Sequence, residues 1–183
     1  MVRYIIICLL ITVGAGYAQN NQPSDIPDWL LKEWESRTQD SGLWIADNSK
    51  YKSENEPYDA YGMKWEYGIG KKVVKGRLFV IKEGKDIGTL WEFLLFWDPA
   101  EKKAIIQQFG SDGTFGSGEI SLESQHMSKS LQTFSSPAGI QFKTGHKSDY
   151  SNQEYIKTTS YSILEDGSWS ENRVYYWKSK TDS

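Results

Sequence analysis

The chain has 183 residues, with 21 Lys and Arg against 24 Asp and Glu and a formal net charge of −3. The basic residues gather into no patch, which argues against a nucleic-acid partner. Cys8 is the only cysteine, so the fold rests on its core and not on disulfides.

The first residues read as an export signal. Arg3 precedes an apolar run from Tyr4 to Val13, and Gly14-Ala15-Gly16-Tyr17-Ala18 offers small residues at the cleavage positions. The run is far short of the ~20 residues that span a bilayer. We therefore expect residues 1–18 to be a signal peptide cleaved after Ala18, delivering the protein to the periplasm or the exterior. Cys8 lies within the run, and Ile7 stands before it where a lipid-attachment cysteine expects a small residue. The chain has no Asn-x-Ser/Thr sequon. The mature part, ~165 residues, suffices for one domain that buries roughly two thirds of its unfolded surface. No later stretch is apolar and long enough to span a membrane.

Residues 19–24 form a polar leader, and 25–183 a single domain. Ser24 or Asp25 is a candidate N-cap for one short helix, with Pro27 in its first turn. Trp29, Leu30, Leu31 and Trp34 gather on one side of that helix, which is expected to fade by Arg37. Asp40-Ser41-Gly42 then turns into a first strand at 43–47. Residues 48–57 are polar and without period, and read as an exposed connector beside the barrel mouth.

Strict alternation follows. Tyr61, Met63, Trp65 and Tyr67 share a face opposite Lys64 and Glu66, and Val74, Gly76, Leu78 and Val80 share one opposite Lys75 and Arg77. Over 89–97 both faces are apolar, so this strand is either covered on both sides or faces a lined cavity. Further strands are expected at 103–109, 115–123, 128–135, 140–146, 154–164 and 168–177. In the last, Trp169, Glu171, Arg173, Tyr175 and Trp177 read as one face. The breaks are tight-turn signals such as Glu83-Gly84, Asp112-Gly113, Pro137-Ala138-Gly139 and Asp166-Gly167. Nine or ten strands without intervening helices make an all-β protein. The expected form is an antiparallel up-and-down meander closed into a barrel, which leaves no bare edge.

Gly42-Leu43-Trp44 resembles the lipocalin signature, in which the Trp packs across the closed end of the barrel. The resemblance implies a late arginine over that indole, here Arg173, a contact worth about 0.5–2 kcal/mol. Ser148-Asp149-Tyr150 is similar to the second lipocalin motif. A closer resemblance is to calycin-like secreted bacterial proteins of unknown function. It is carried by Trp65-Glu66-Tyr67-Gly68, Trp91-Glu92-Phe93, Phe96-Trp97-Asp98-Pro99, Gln108-Phe109-Gly110 and Asp112-Gly113, and it spans Trp44 to Trp177. It implies a calycin-like barrel but no activity. The strand count and the lack of disulfides depart from true lipocalins.

Eight Trp, eleven Tyr and seven Phe make the interior the natural site. Aromatics could simply fill the core. Alternatively, Tyr61, Met63, Trp65, Trp91, Phe93, Trp97, Tyr155, Tyr161, Arg173 and Tyr175 line a pocket for a small hydrophobic or aromatic molecule. No nucleophile elbow or phosphate loop is present. His126 and His146 lack partners at metal-ligand spacing, so no metal or cofactor is expected, although a lone barrel histidine such as His146 could hold a haem iron. Glu92 and His146 are the candidate acid–base groups if the protein is an enzyme. A third reading is a surface module whose exposed Trp and Tyr bind a glycan or a protein. Nothing in the residues indicates an oligomeric state.

Overall fold

The structure, a computed structural model, describes residues 26–180. The export signal, the polar leader and the candidate caps Ser24 and Asp25 lie outside them. Helix α1 (Asp28–Thr38) begins one residue after Pro27, which precedes the helix and is not part of its first turn. Ten strands follow: β1 (Leu43–Asp47), β2 (Ala60–Tyr67), β3 (Val73–Lys82), β4 (Lys85–Asp98), β5 (Lys103–Gly110), β6 (Phe115–Ser124), β7 (Met127–Ser135), β8 (Gln141–Asp149), β9 (Tyr155–Ile163) and β10 (Trp169–Ser179). Each pairs antiparallel with its neighbours in sequence, and β10 returns to β1, so the sheet is a closed barrel. The all-β meander expected from the sequence is the fold observed.

Local chemistry explains the turns. Strands β3 and β4 are joined by two residues, Glu83 and Gly84, at φ 51° and 74°. Positive φ at both positions is the geometry that matches the twist of a hairpin, and Gly at the second carries no Cβ penalty. Gly42, at φ 66°, brings the chain out of α1 so closely that a Cβ would stand 2.1 Å from the Trp65 carbonyl oxygen. The Trp65 N–H donates to the Gly42 carbonyl at 2.8 Å. No other residue type fits there.

Helix α1 closes the end of the barrel at which β1 starts and β10 finishes. Leu30, Glu33, Trp34 and Arg37, spaced i, i+3, i+4 and i+7, form its inward stripe, with Leu30 and Trp34 fully buried. Trp44 is buried beside it and donates its indole N–H to the Arg37 carbonyl at 2.7 Å. Large side chains seat on glycines of the neighbouring strand. The Trp65 ring covers Gly76, and the Phe134 ring covers Gly116.

One register shift corrects the sequence reading of the last strand. Between Glu171 and Arg173 the pairing slips by one residue, so Glu171 faces Tyr161 while Arg173 faces Ser160. Trp169 and Glu171 therefore lie outside, and only Arg173, Tyr175 and Trp177 turn inward. A second shift at Leu90 in β4 brings both Leu90 and Trp91 to the interior.

The seating of Trp65 sets a test. A Cβ at Gly76 would lie 2.3 Å from the Trp65 ring. Gly→Ala at an unhindered site typically stabilises by roughly 0.4–1 kcal/mol. Here we expect Gly76→Ala to cost about 1–3 kcal/mol by overpacking, read as a lower urea midpoint with unchanged m-value. A neutral or stabilising effect would contradict the packing described.

Candidate functional site

The barrel encloses a cavity of about 360 Å³. Its two opposite walls differ in chemistry. Strands β2, β3 and β4 contribute Tyr61, Met63, Trp65, Leu78, Leu90, Trp91 and Phe93, and Trp177 of β10 continues this apolar arc. Trp65 and Phe93 rings meet at 5.4 Å. Facing them, β5–β9 contribute Gln108, Ser128, Ser130, Gln132, His146, Ser148, Thr158 and Ser160, interspersed with Ile106, Ile120 and Ile156. The lumen is amphipathic.

The expected lining residues divide accordingly. Tyr61, Met63, Trp65, Trp91, Phe93, Arg173 and Tyr175 line the cavity. Trp97 packs against the core but does not reach the lumen. Tyr155 and Tyr161 fall on the outer face, because the inward positions of β9 are Ile156, Thr158 and Ser160. Tyr155 makes an edge contact with Tyr176 at 5.2 Å, and Tyr161 with Trp169 at 5.3 Å. Glu92 is exposed on the outer surface, opposite Arg77 and Phe109, so it has no access to a ligand in the barrel. His146 does face the lumen.

The aromatic pattern does not mark the serines, threonines and glutamines of the second wall. Their signal is the inversion in β7, where Ser128, Ser130 and Gln132 are buried while Leu131 between them is 44% exposed. A strand that hides its hydroxyls and exposes its leucine is facing a polar cavity or a polar guest.

At the closed end, Glu33 and Arg37 of α1 also reach the lumen. One carboxylate oxygen, Glu33 Oε1, accepts from Arg37 Nε at 3.1 Å, from Arg37 Nη2 at 2.8 Å and from the Tyr150 hydroxyl at 3.0 Å. The guanidinium lies 4.8 Å above the Trp65 ring. Burial works against the Arg37 charge, but Tyr150 and Glu33 outweigh it and its pKa stays above the ordinary value. The arginine over an indole expected from the lipocalin resemblance is thus supplied by Arg37 over Trp65, and not by Arg173 over Trp44. Among the described residues, none makes a side-chain hydrogen bond with His146. Burial first, and then the Arg37 charge, hold its pKa down to about 4.

At the mouth, the loop expected at residues 48–57 is exposed at Ser49, Lys50 and Lys52 to Asn55, but Asn48, Tyr51 and Glu56 fasten it to the barrel as a strap. Arg173 donates to both carboxylate oxygens of Glu56 at 2.6 Å, and the Tyr61 hydroxyl donates to Glu56 Oε1 at 2.5 Å. The Tyr175 hydroxyl donates to Asn48 Oδ1 at 3.2 Å, and the Val174 N–H donates to the Tyr51 hydroxyl at 2.9 Å. Asn48 is completely buried. The polar composition that suggests a loop is the set of groups that ties it down.

Among the described residues no three His, Cys, Asp or Glu side chains gather to hold a metal ion, and no helix is long and apolar enough to cross a membrane. Comparison with protein-family models, with curated proteins and with solved structures found no significant match.

The strap has a defined pH dependence. The Arg173 hydrogen bonds, against a smaller opposing effect of burial, lower the Glu56 pKa. A depressed carboxylate pKa stabilises fully above the unfolded value of about 4.3, and that stability is lost as pH falls through the lower folded value. Hydrogen exchange of amides 48–59 should therefore accelerate below about pH 4 relative to the β7–β8 amides. Glu56→Gln should show fast exchange in this segment at neutral pH and no such acid step. Equal protection of the strap in both proteins would refute the latch.

Proposed function

We propose that this chain is an exported, calycin-like barrel that binds a small hydrophobic or aromatic molecule in its lumen without transforming it. The observation that carries this reading is the cavity itself, about 360 Å³ deep inside a closed barrel and walled on one side by Trp65, Trp91 and Phe93. That volume lies within the 300–1,000 Å³ range typical of small-molecule sites, which are mostly apolar with a few placed polar groups. A site whose only role was packing would be filled, because interiors pack to crystal density.

The enzymatic alternative rests on His146, since Glu92 faces away. A general base works best with a pKa near the operating pH. At about 4, His146 is a poor proton acceptor at neutral pH, which favours binding over acid–base chemistry. A surface aromatic platform is supported less well. The Tyr155–Tyr176 and Tyr161–Trp169 pairs stand at opposite ends of the β9–β10 ladder, with Thr159 and Val174 between them.

The neutral dye N-phenylnaphthylamine should bind saturably at one site per chain and quench tryptophan emission. Ser130→Phe, which fills the lumen from the polar wall, should weaken it by about tenfold or more while the folded circular-dichroism spectrum is kept. Binding that is unsaturable, or unaffected by filling the lumen, would reject the proposal.

A further inference from the structure

The ligand can be narrowed by asking which polar groups reach the lumen with nothing in the protein to bond. This step rests on the lumen-binding reading above. Arg37 is the first such group. Glu33 Oε1 accepts from its Nε and Nη2 at 3.1 and 2.8 Å, and the Trp65 and Tyr150 rings stand 4.8 and 5.6 Å from the guanidinium carbon. Nη1 has no hydrogen-bond partner among the described residues, yet it is not one of the sealed polar atoms. The side chain keeps 15% of its surface and lines the cavity. This free edge of the guanidinium therefore opens into the lumen, and it can only donate.

His146 is the second. Its ring lines the same cavity without a side-chain hydrogen bond among the described residues. Register places it between Ser130 on β7 and Ser160 on β9, and the next inward row toward α1 is Ser128, Ser148 and Thr158. The hydroxyls of Ser128, Ser130, Thr158 and Ser160 likewise have no side-chain partner among the described residues. Buried polar groups take their hydrogen bonds from protein, water or a guest, and here the protein supplies none. By contrast, Glu33 Oε2 and Gln132 Oε1 are sealed away from the lumen. A guest at the closed end thus meets a guanidinium edge, an imidazole and a bed of hydroxyls, all able to donate.

We infer that the lumen takes an aromatic or other apolar carboxylic acid, its carboxylate seated at the closed end between Arg37 Nη1 and His146 and its body against Trp65, Trp91 and Phe93. Hydrogen bonds from a guanidinium to a carboxylate are roughly twice as strong as neutral ones. Glu33 already cancels the Arg37 charge, so the bound anion would leave the closed end with a net negative charge, which a buried site tolerates poorly. His146 resolves this by taking a proton from solvent as the acid binds. In the empty barrel, burial and then the Arg37 charge keep His146 neutral at physiological pH. A carboxylate beside it favours the imidazolium. The other charged or titratable groups around the lumen are Glu33 and Arg37 of α1, Tyr150 beside Arg37, and Tyr61, Tyr175 and Arg173 toward the mouth, where Glu56 holds Arg173. The inward partners of His146 on β7 and β9 are serines. Of these residue types only histidine ordinarily changes charge between about pH 5 and 8.

The test compares biphenyl para-carboxylate, its amide and biphenyl itself, by calorimetry and by displacement of N-phenylnaphthylamine from the purified protein at about pH 6. The carboxylate should bind about tenfold or more tightly than either neutral compound. Its apparent binding enthalpy should differ between MES and bis-Tris, whose ionisation enthalpies differ, in proportion to the proton taken up; the amide should show no such difference. His146→Gln keeps a hydrogen-bonding side chain that cannot be charged. It should abolish the buffer dependence and weaken the carboxylate about tenfold while leaving the amide unchanged; a merely structural His146 would move both alike. Arg37→Lys keeps the charge toward Glu33 but has no second edge, and should bring the carboxylate down to the amide. If Arg37→Lys does not fold, His146→Gln decides alone. A carboxylate that binds wild-type protein no better than the amide, or that binds without proton uptake, overturns this inference and leaves lumen binding standing. If none of the three binds and N-phenylnaphthylamine also fails, lumen binding itself falls.

Discussion

Ten strands closed on themselves impose a circumference that side chains alone do not fill. An eight-stranded barrel is just wide enough for its side chains to pack the centre, and diameter grows roughly linearly with strand number. Closure here is made by β1 and β10, where Trp44 and Ile45 face Ser179 and Lys178. Once that ring exists, the large aromatics of β2–β4 can occupy only their own half. The short hydroxyl side chains of β7–β9 add little bulk to the cavity they line. Fold and cavity are one consequence of the same constraint.

Charge in this interior is placed at the two ends and cancelled at each. Glu33 and Arg37 arrive together on the plug helix, one turn apart, and Arg173 meets Glu56 from the strap. Neither pair is a simple surface ion pair. The first is buried against the face of the Trp65 ring, and the second holds a bidentate geometry while binding Tyr61 as well. Each pair positions an element that closes the barrel.

The strands were legible in the sequence because alternation and turn residues are local signals. Tyr61-x-Met63-x-Trp65 and the Glu83-Gly84 turn each report their geometry without reference to the rest of the chain. The site was half legible. Aromatic positions on β2–β4 mark the apolar wall, whereas Ser128, Ser130 and Gln132 look like an ordinary polar face until the barrel shows which side is inside. Glu33 and Arg37 were hidden by reading only apolar residues on α1, although their spacing matches that of Leu30 and Trp34. Tyr155 and Tyr161 were placed inside on side-chain type, and Glu171 was grouped with Arg173 because a one-residue register slip at Asn172 leaves no mark in composition.

The seam between β1 and β10 is the shortest in the ring, registered over Trp44 and Ile45 alone and reinforced by the Lys180 N–H on the Leu43 carbonyl and the Ser41 hydroxyl on the Lys180 carbonyl. Local opening of a protein follows its least protected segments. A wall that parts first at this joint would expose Trp44 sideways to solvent while the strap and the plug stay in place. If the lumen binds as proposed, exchange would then run through the flank of the barrel, and its rate would be set by how often the five-residue β1 lets go of the longer β10.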